Sequence, residues 1–569
     1  MFGKKTVIST RFNSVFVASM VSMVSSYVLA LTDNIVAGQI IGDSAVAAMT
    51  LVFPIYTLLL FVSYVVSDGL VMMISYAQGR NDREEINRLF SLGMILSIDC
   101  AIFFFAALVL FKDQILSFWE ISEQLKAYSV SYYDGLKFFP LVMFVNIFIY
   151  TVFMTEGKEN ACIISSATSF MVNIALDIIL CQNMGIKGIG LATMFSMLAS
   201  LITQIYFLTG GRSQLRFSWY WDLKKILKGI YFSFYHSIDT LFISILPVLL
   251  SMGVIRFFGE DELIVVTVAV NLLTLVIAIY GGLVDCLQPM VCQYHAENNF
   301  YSMKKTMDLG IKVTVVLSVA MTFLGMIFAD FLPMLFGVEE AALEEEAVTA
   351  MRFLLPFIIF LGCVLIYSNY YVYIEEMRLS ALVKLILFLV MPCIGMEIGG
   401  KISMNAFWLC VGASFAVSFA ANFIVTKFFG KRGGLLLLDK NILNKQLSYD
   451  VDTIFEDIIA LTKKVDADLL RLGVDDKTRN KLVLFTEEFG LHAVERAGDK
   501  IFQLEFSFLI DDDAYRVIIR DNGTPYDILA IAEEKKFSFR EFFIDSITER
   551  VVSRNYVESG DENRVVIRI

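Results

Sequence analysis

Two carboxylates in otherwise apolar stretches, with an amide and a hydroxyl close by in the sequence, have the chemistry to take up and release a proton. Asp33 lies in LALTDNIVAG, and Asp177 lies in FMVNIALDIIL, four residues after Asn173. Residues four apart share a helical face, so Asn173 and Asp177 offer an amide and a carboxylate to one cavity. The next segment, GIKGIGLATMF, brings Gly185, Gly188 and Gly190, where backbones approach closely, and then the hydroxyl of Thr193. An ionised carboxylate within a spanning helix costs several kcal/mol unless it meets water or a partner, which makes each one a candidate for ion traffic. The competing explanation is that Asp33 and Asp177 cap helix ends or pair structurally. Three further acids, Asp68, Asp285 and Asp239, are candidates to line a cavity and attract cations. Asp68 and Asp285 fit a solvated mouth equally well.

The elements that position these groups must be membrane helices. Of 569 residues, 57% are hydrophobic and only 18% charged, too little charge to cover a water-soluble surface. Spanning hydrocarbon takes about 20 apolar residues as a helix, and twelve such runs are expected between residues 13 and 428. The fourth is expected at 131–153 and the eleventh at 380–398. The run after MFGKK is expected to be a retained first span rather than a cleaved leader. Basic residues gather on alternate ends, from Lys4, Lys5 and Arg11 through Arg80, Arg83 and Arg88 to Lys431 and Arg432. Those ends are expected to be cytoplasmic, with both termini. The eight cysteines lack metal-ligand spacing and read as packing residues, so neither disulfides nor a metal site is expected.

An internal repeat sets the architecture. At an offset of 217 and without a gap, Gly42 pairs with Gly259, Thr50 with Thr267, Asp68 with Asp285, Asn81 with Asn298 and Gly93 with Gly310. An even six spans per half keeps the two lobes in one orientation, as in transporters that rock about a central cavity. The expected units are an N-lobe (1–210), a cytoplasmic linker (211–228), a C-lobe (229–434) and a polar tail (439–569). The tail holds 19 Lys and Arg against 27 Asp and Glu, and this acidic balance argues against nucleic acid. Its helical runs IFEDIIALTKKVDADLLRLG and KLVLFTEEFGLHAVERAG precede FQLEFSFLIDDDAYRVIIRDNG, which reads as a hairpin of alternating apolar and polar residues. The fold class expected is therefore a mainly α membrane protein of two pseudo-symmetric six-helix lobes plus a C-terminal α+β sandwich.

Two resemblances follow. TDNIVAGQIIGDSAVAAMTLVFP, MTEGKENACIISSATSFMVNIALDIILCQNMGIKGIGLATMFS, AQGRNDREE and LQPMVCQYHAENN together resemble multidrug and toxin extrusion (MATE) transporters over about residues 10–430. That resemblance implies export of amphiphilic, often cationic, small molecules against inward H⁺ or Na⁺, with Asp33, Asn173, Asp177 and Thr193 as the coupling network. The second half departs from it, since Val390 and Ile394 stand 217 residues on from Asn173 and Asp177. The tail string LVLFTEEFGLHAVERA, followed by VIIRDNGTPYD and RVVIRI, resembles the anti-sigma-factor serine kinases of the histidine-kinase-like ATPase group. There Glu488 matches the catalytic Glu, His492 stands where the Mg²⁺-binding Asn belongs, and Asp521 and Gly523 match the adenine turn. The phosphate loop is expected near KKFSFREFFIDSI, which has no glycine. A backbone without glycine cannot easily approach phosphate, and imidazole is a poor ligand for Mg²⁺, so the nucleotide site is expected to be degenerate.

The function expected is secondary transport, not enzyme catalysis, at the cell membrane. It requires no cofactor beyond the coupling H⁺ or Na⁺; ATP binding by the tail, residual ATPase or kinase activity, and a cytoplasmic protein partner stay open. Two alternatives remain: a membrane sensor with a kinase-like output domain, and a lipid or oligosaccharide flippase. The sensor needs a phosphoacceptor on a dimerising helix, and His236, His295 and His492 are not so placed. The flippase needs basic residues within the spans for phosphate groups, and few are present.

Overall fold

Long apolar runs fold as helices because hydrocarbon offers the backbone no hydrogen-bond partner, and a helix satisfies its own N–H and C=O groups. The computed structural model describes residues 5–116, 123–210, 215–260, 262–331, 333, 341–429, 434–498, 500–510, 515–524, 526, 544, 553–559 and 562–569. The first half runs α1 (Val7–Ile40), α2 (Asp43–Arg80), α3 (Arg83–Leu110), the short α4 (Lys112–Leu116), α5 (Glu123–Leu136), α6 (Pro140–Thr155), α7 (Glu159–Met184) and α8 (Ile186–Thr209). The second runs α9 (Leu223–Phe257), α10 (Leu263–Ala296), α11 (Phe300–Ile327), α12 (Ala341–Leu354), α13 (Ile358–Tyr373), α14 (Met377–Leu385), α15 (Met391–Gly400) and α16 (Met404–Phe429). Among the described residues, eleven helical stretches are long and apolar enough to cross a membrane, and α5 with α6 makes a twelfth.

That twelfth pair differs from the single span expected at 131–153, because it is bent by 52° before Pro140. Proline offers no N–H to the preceding turn, and its ring crowds the carbonyl four residues back. At the matching place the second half tightens into a 3₁₀ turn at Leu355–Phe357, which contains Pro356, yet Leu343–Tyr373 remains one span. The eleventh span is also irregular, passing through a π turn at Ile386–Val390 just before Pro392. The same steric conflict with the i−4 carbonyl accounts for that widened turn.

The repeat is visible in backbone detail. Gly42 and Gly259, 217 residues apart, take φ +116° and +114°, and Asn81 and Asn298 take φ +60° and +56°. Each asparagine turn is followed by a matching cap: Asp82 accepts from the Glu85 N–H and Asn299 from the Ser302 N–H. Left-handed turns of this kind favour Gly and Asn for steric reasons, which is why these identities stand out in the alignment.

The halves meet near the ends that carry these asparagine turns, called here the tail side. The Tyr76 hydroxyl donates to the Tyr373 carbonyl at 2.9 Å, and the Gly69 N–H donates to Ser233 Oγ at 2.5 Å. A side chain at Gly79 would collide with Gln293 and Ala296. The first helix is shared, packing on α7 of its own half and on α10 of the other.

The tail comprises α17 (Lys440–Asn444), β1 (Gln446–Asp452), α18 (Phe455–Arg471), α19 (Asp476–Ala497), β2 (Gln503–Ile510), β3 (Tyr515–Asp521), β4 (Ser553–Ser559) and β5 (Glu562–Arg568). The strands form one antiparallel sheet in the order β1-β2-β3-β5-β4. The expected hairpin is β2–β3, with Phe506 opposite Ile519. Two strands were not read from the sequence: β1, ahead of both helices, and β4 at the far edge of the sheet. Leu504, Phe506, Val517, Ile519, Val565 and Ile567 pack under Ile458, Val465, Phe485 and Phe489 of the helices. The opposite face is buried as well, with Glu505, Ser507, Arg520 and Arg564 at most 2% exposed. It lies against the transmembrane part.

Candidate functional site

Three helices bring the predicted acid set together. Asp33 comes from α1, Asn173 and Asp177 from one face of α7, and Thr193 from α8. The tight turn at Gly185, with φ +62°, folds α8 back on α7, and Gly188 lets the helix pass over the Leu180 carbonyl. Asp177 and Asn173 are at most 1% exposed, while Asp33 is half-buried. The Thr193 hydroxyl donates to Asp33 Oδ2 at 3.5 Å, and the side chains of Asp177 and Asn173 adjoin the same carboxyl. Asp33 Oδ1, Asn173 Oδ1 and both oxygens of Asp177 are buried without a hydrogen-bond partner. Among the described residues no Lys or Arg stands against either acid. Two adjoining carboxyl groups with no basic partner are tolerable in such a place only with a shared proton or a bound cation. Tyr56 and Tyr132 adjoin Asp33 from α2 and α5; neither was singled out in the sequence, where tyrosine in an apolar run looks like packing.

The three further acids assemble elsewhere, at the junction of the halves. Asp68 Oδ2 lies 3.2 Å from His236 Nδ1, and His236 Nε2 lies 3.3 Å from the Tyr373 hydroxyl. That hydroxyl donates to the Val284 carbonyl at 3.1 Å. Asp68 is 6% exposed, so it does not sit in a solvated mouth. Asp285 lies within electrostatic reach of Asp68, His236 and Asp239. Asp239 has its own base: Lys384 Nζ lies 3.2 Å from Asp239 Oδ2. The same ammonium donates to the carbonyls of His236 and Tyr235 at 2.5 and 3.1 Å and to Asn369 Oδ1 at 3.0 Å. Its side chain is wholly buried. Lys384 was missed in the sequence, although a lone charge in LVKLILFLV is a legible signal.

In the tail, Asp521 ends β3 with Gly523 just beyond it, and Glu488 and His492 share α19. The Asp521 carboxylate is already engaged: Arg496 pairs with it at 2.5 Å, Asn563 donates at 2.8 Å and the Gly523 N–H at 2.9 Å. The His492 ring stacks on Tyr526 with centroids 5.3 Å apart. The expected phosphate loop, 535–547, lies outside the described residues except for Ile544.

A duplicated bundle of membrane-crossing helices with unpaired acids buried in one half is the layout of a secondary transporter built from repeats. The chain belongs to the MatE family, whose model matches residues 18–179 and 236–395. Among solved structures, a MATE protein in complex with MaL6 matches at 19% identity and TM-score 0.69, covering 74% of this chain and 96% of its own. A MOP superfamily transporter from Pyrococcus furiosus matches at 20% identity and TM-score 0.69, covering 75% and 98%; its binding pocket is described as reversed in polarity, suggesting a different function. An outward-facing multidrug resistance MATE family transporter matches at 19% identity and TM-score 0.69, again covering 75% and 98%. These likenesses carry the fold. No curated protein matches the chain.

Proposed function

We propose that this MATE-family transporter is a cation-coupled antiporter that exports amphiphilic or cationic small molecules in exchange for H⁺ or Na⁺. The observation that carries the proposal is the Asp33–Asp177 pair, with buried carboxyl oxygens that lack hydrogen-bond partners and, among the described residues, no basic neighbour. An ion entering from outside neutralises the pair; a cationic substrate competes for the same negative charge, so the two occupy the cavity in turn. Thr193 donates to Asp33, and Asn173 supplies an amide oxygen that faces the site without a partner. The distribution of basic residues supports a cell-membrane protein with both termini and the tail in the cytoplasm. A regulatory tail rather than a working ATPase is supported by Asp521, whose carboxylate is filled by Arg496 and Asn563. Lys384 does not favour the flippase alternative, because Asp239 and three oxygen acceptors already take its charge.

The test is efflux of a fluorescent cation from cells, comparing Asp33→Asn with wild type while the proton and sodium gradients are collapsed separately. Loss of efflux in the variant, and in wild type under only one collapse, is the expected result and names the ion. Normal efflux by the variant removes coupling from the first lobe.

A further inference from the structure

The polar face of the tail sheet is a row of charges in register. Asp450 of β1 stands opposite Glu505 of β2, Glu505 opposite Arg520 of β3, and Arg520 opposite Arg564 of β5. Each member of the row meets the transmembrane part. Lys305 of α11 pairs with Asp450, and Ser302 donates to Glu505 at 2.7 Å. Arg520 and Arg564 both grip Glu297, the residue that ends α10. Arg564 also donates to the Gln78 carbonyl at the end of α2, and Arg11 of α1 pairs with Glu562 at 3.1 Å. Arg11, Arg520 and Arg564 balance Glu297, Glu505 and Glu562, and none of the six side chains is more than 8% exposed.

The ownership of these groups matters. Arg11 and Gln78 belong to the first half, and Glu297, Ser302 and Lys305 to the second. The sheet therefore holds both halves across the seam where Gly79 touches Gln293 and Ala296. Alternating access needs that seam to part, and its parting would strip Arg564 or Arg520 from a buried partner. A buried charge left without its partner is strongly disfavoured.

We propose that the C-terminal sheet is a clamp on the tail-side gate, which opens only when the charged row lets go of one half. The proposal rests on the transporter reading above and deepens it, giving the tail's regulatory role a mechanical form.

The reporter is already present. Cys292 on α10 is fully buried at the seam beside Tyr76, and a gate that opens exposes it. The full-length protein in lipid nanodiscs is treated with N-ethylmaleimide, and modification of the Cys292 peptide is followed by mass spectrometry. Arg11→Gln with Lys305→Asp removes one ion pair between the sheet and each half and is expected to raise the Cys292 rate at least about tenfold. Adding Asp450→Lys restores the pair between β1 and α11 in reverse polarity, while Arg11–Glu562 stays broken, and is expected to bring the rate part of the way back toward wild type. A control, Arg352→Gln, breaks an exposed pair with Asp330 away from the seam and is expected to change nothing. Equal Cys292 rates in wild type and the loosened variant overturn the clamp, as does an equal rise in the control. The readout is thiol exposure rather than export, so faster labelling of the loosened variant together with a wild-type chain that exports no cation overturns the transport reading and leaves the clamp standing.

Discussion

The two lobes share a backbone and not a chemistry. The positions 217 residues on from Asp33, Asn173, Asp177 and Thr193 are Leu250, Val390, Ile394 and Cys410. In the other direction, Asp239, Asn369 and Lys384 fall on Ser22, Val152 and Ala167. Each half thus carries its own buried polar set at sites its twin fills with apolar or small groups. The sets differ in one respect: Asp239 has an ammonium against it, while Asp33 and Asp177 have none. A base built into the chain neutralises its acid permanently, whereas an acid without one must borrow an ion. The duplication supplied two frames, and the base in the second leaves only the first with the unpaired acids that the antiport proposal requires.

Four experiments break or sharpen that contrast. The largest effect is expected for Asp177→Asn, which should lower gradient-driven efflux at least about tenfold, because the group that must be neutralised is gone. Unchanged efflux there would make the first set as inert as the second. Next, Lys384→Met strands Asp239 in a buried place and is expected to cost about 3–5 kcal/mol in stability, read by thermal unfolding in detergent. Adding Asp239→Asn should recover most of that loss, and a stable Lys384→Met single variant would show that the second set is not a fixed pair. A smaller cost, about 1–3 kcal/mol, is expected for His236→Leu, which leaves Asp68 and the Tyr373 hydroxyl each short of a partner.

The smallest effect concerns the clamp over a broad pH range. Burial works against ionisation of Glu297, but Arg520 and Arg564 outweigh it and hold this carboxyl below the usual glutamate range. A lowered value means that its contribution is full above the ordinary glutamate pKa and is lost as pH falls through the depressed one. Energy transfer between dyes on the tail and on the tail-side loops should therefore stay constant from neutral to mildly acid pH and drop only below that range. A drop near neutrality would mean that Glu297 is not what holds the sheet.

Much of the lobe architecture was legible because its causes are local. Apolar length specifies spans, and the left-handed turns at Gly42, Gly259, Asn81 and Asn298 restrict residue type enough to leave matching letters. The first acid set was legible because an Asp in an apolar run is costly wherever it lands. The break before Pro140 was missed because a continuous apolar run hides a bend that costs no polarity. Partners on distant segments were harder: nothing near Asp239 in the chain announces Lys384, 145 residues on. The tail gave the clearest lesson. Its alternating strands matched a half-solvated hairpin, but the polar face is buried because it meets another surface, and alternation alone cannot tell water from a charged neighbour.

The first helix has a consequence of its own. Arg11 and Asp33 lie on it 22 residues apart, about 33 Å at 1.5 Å per residue, with no proline between them. One continuous helix thus joins the acid beside Asp177 to the arginine that pairs with Glu562 of the sheet. Under the antiport proposal, a tilt imposed at the acid end would be delivered to the sheet along a single lever.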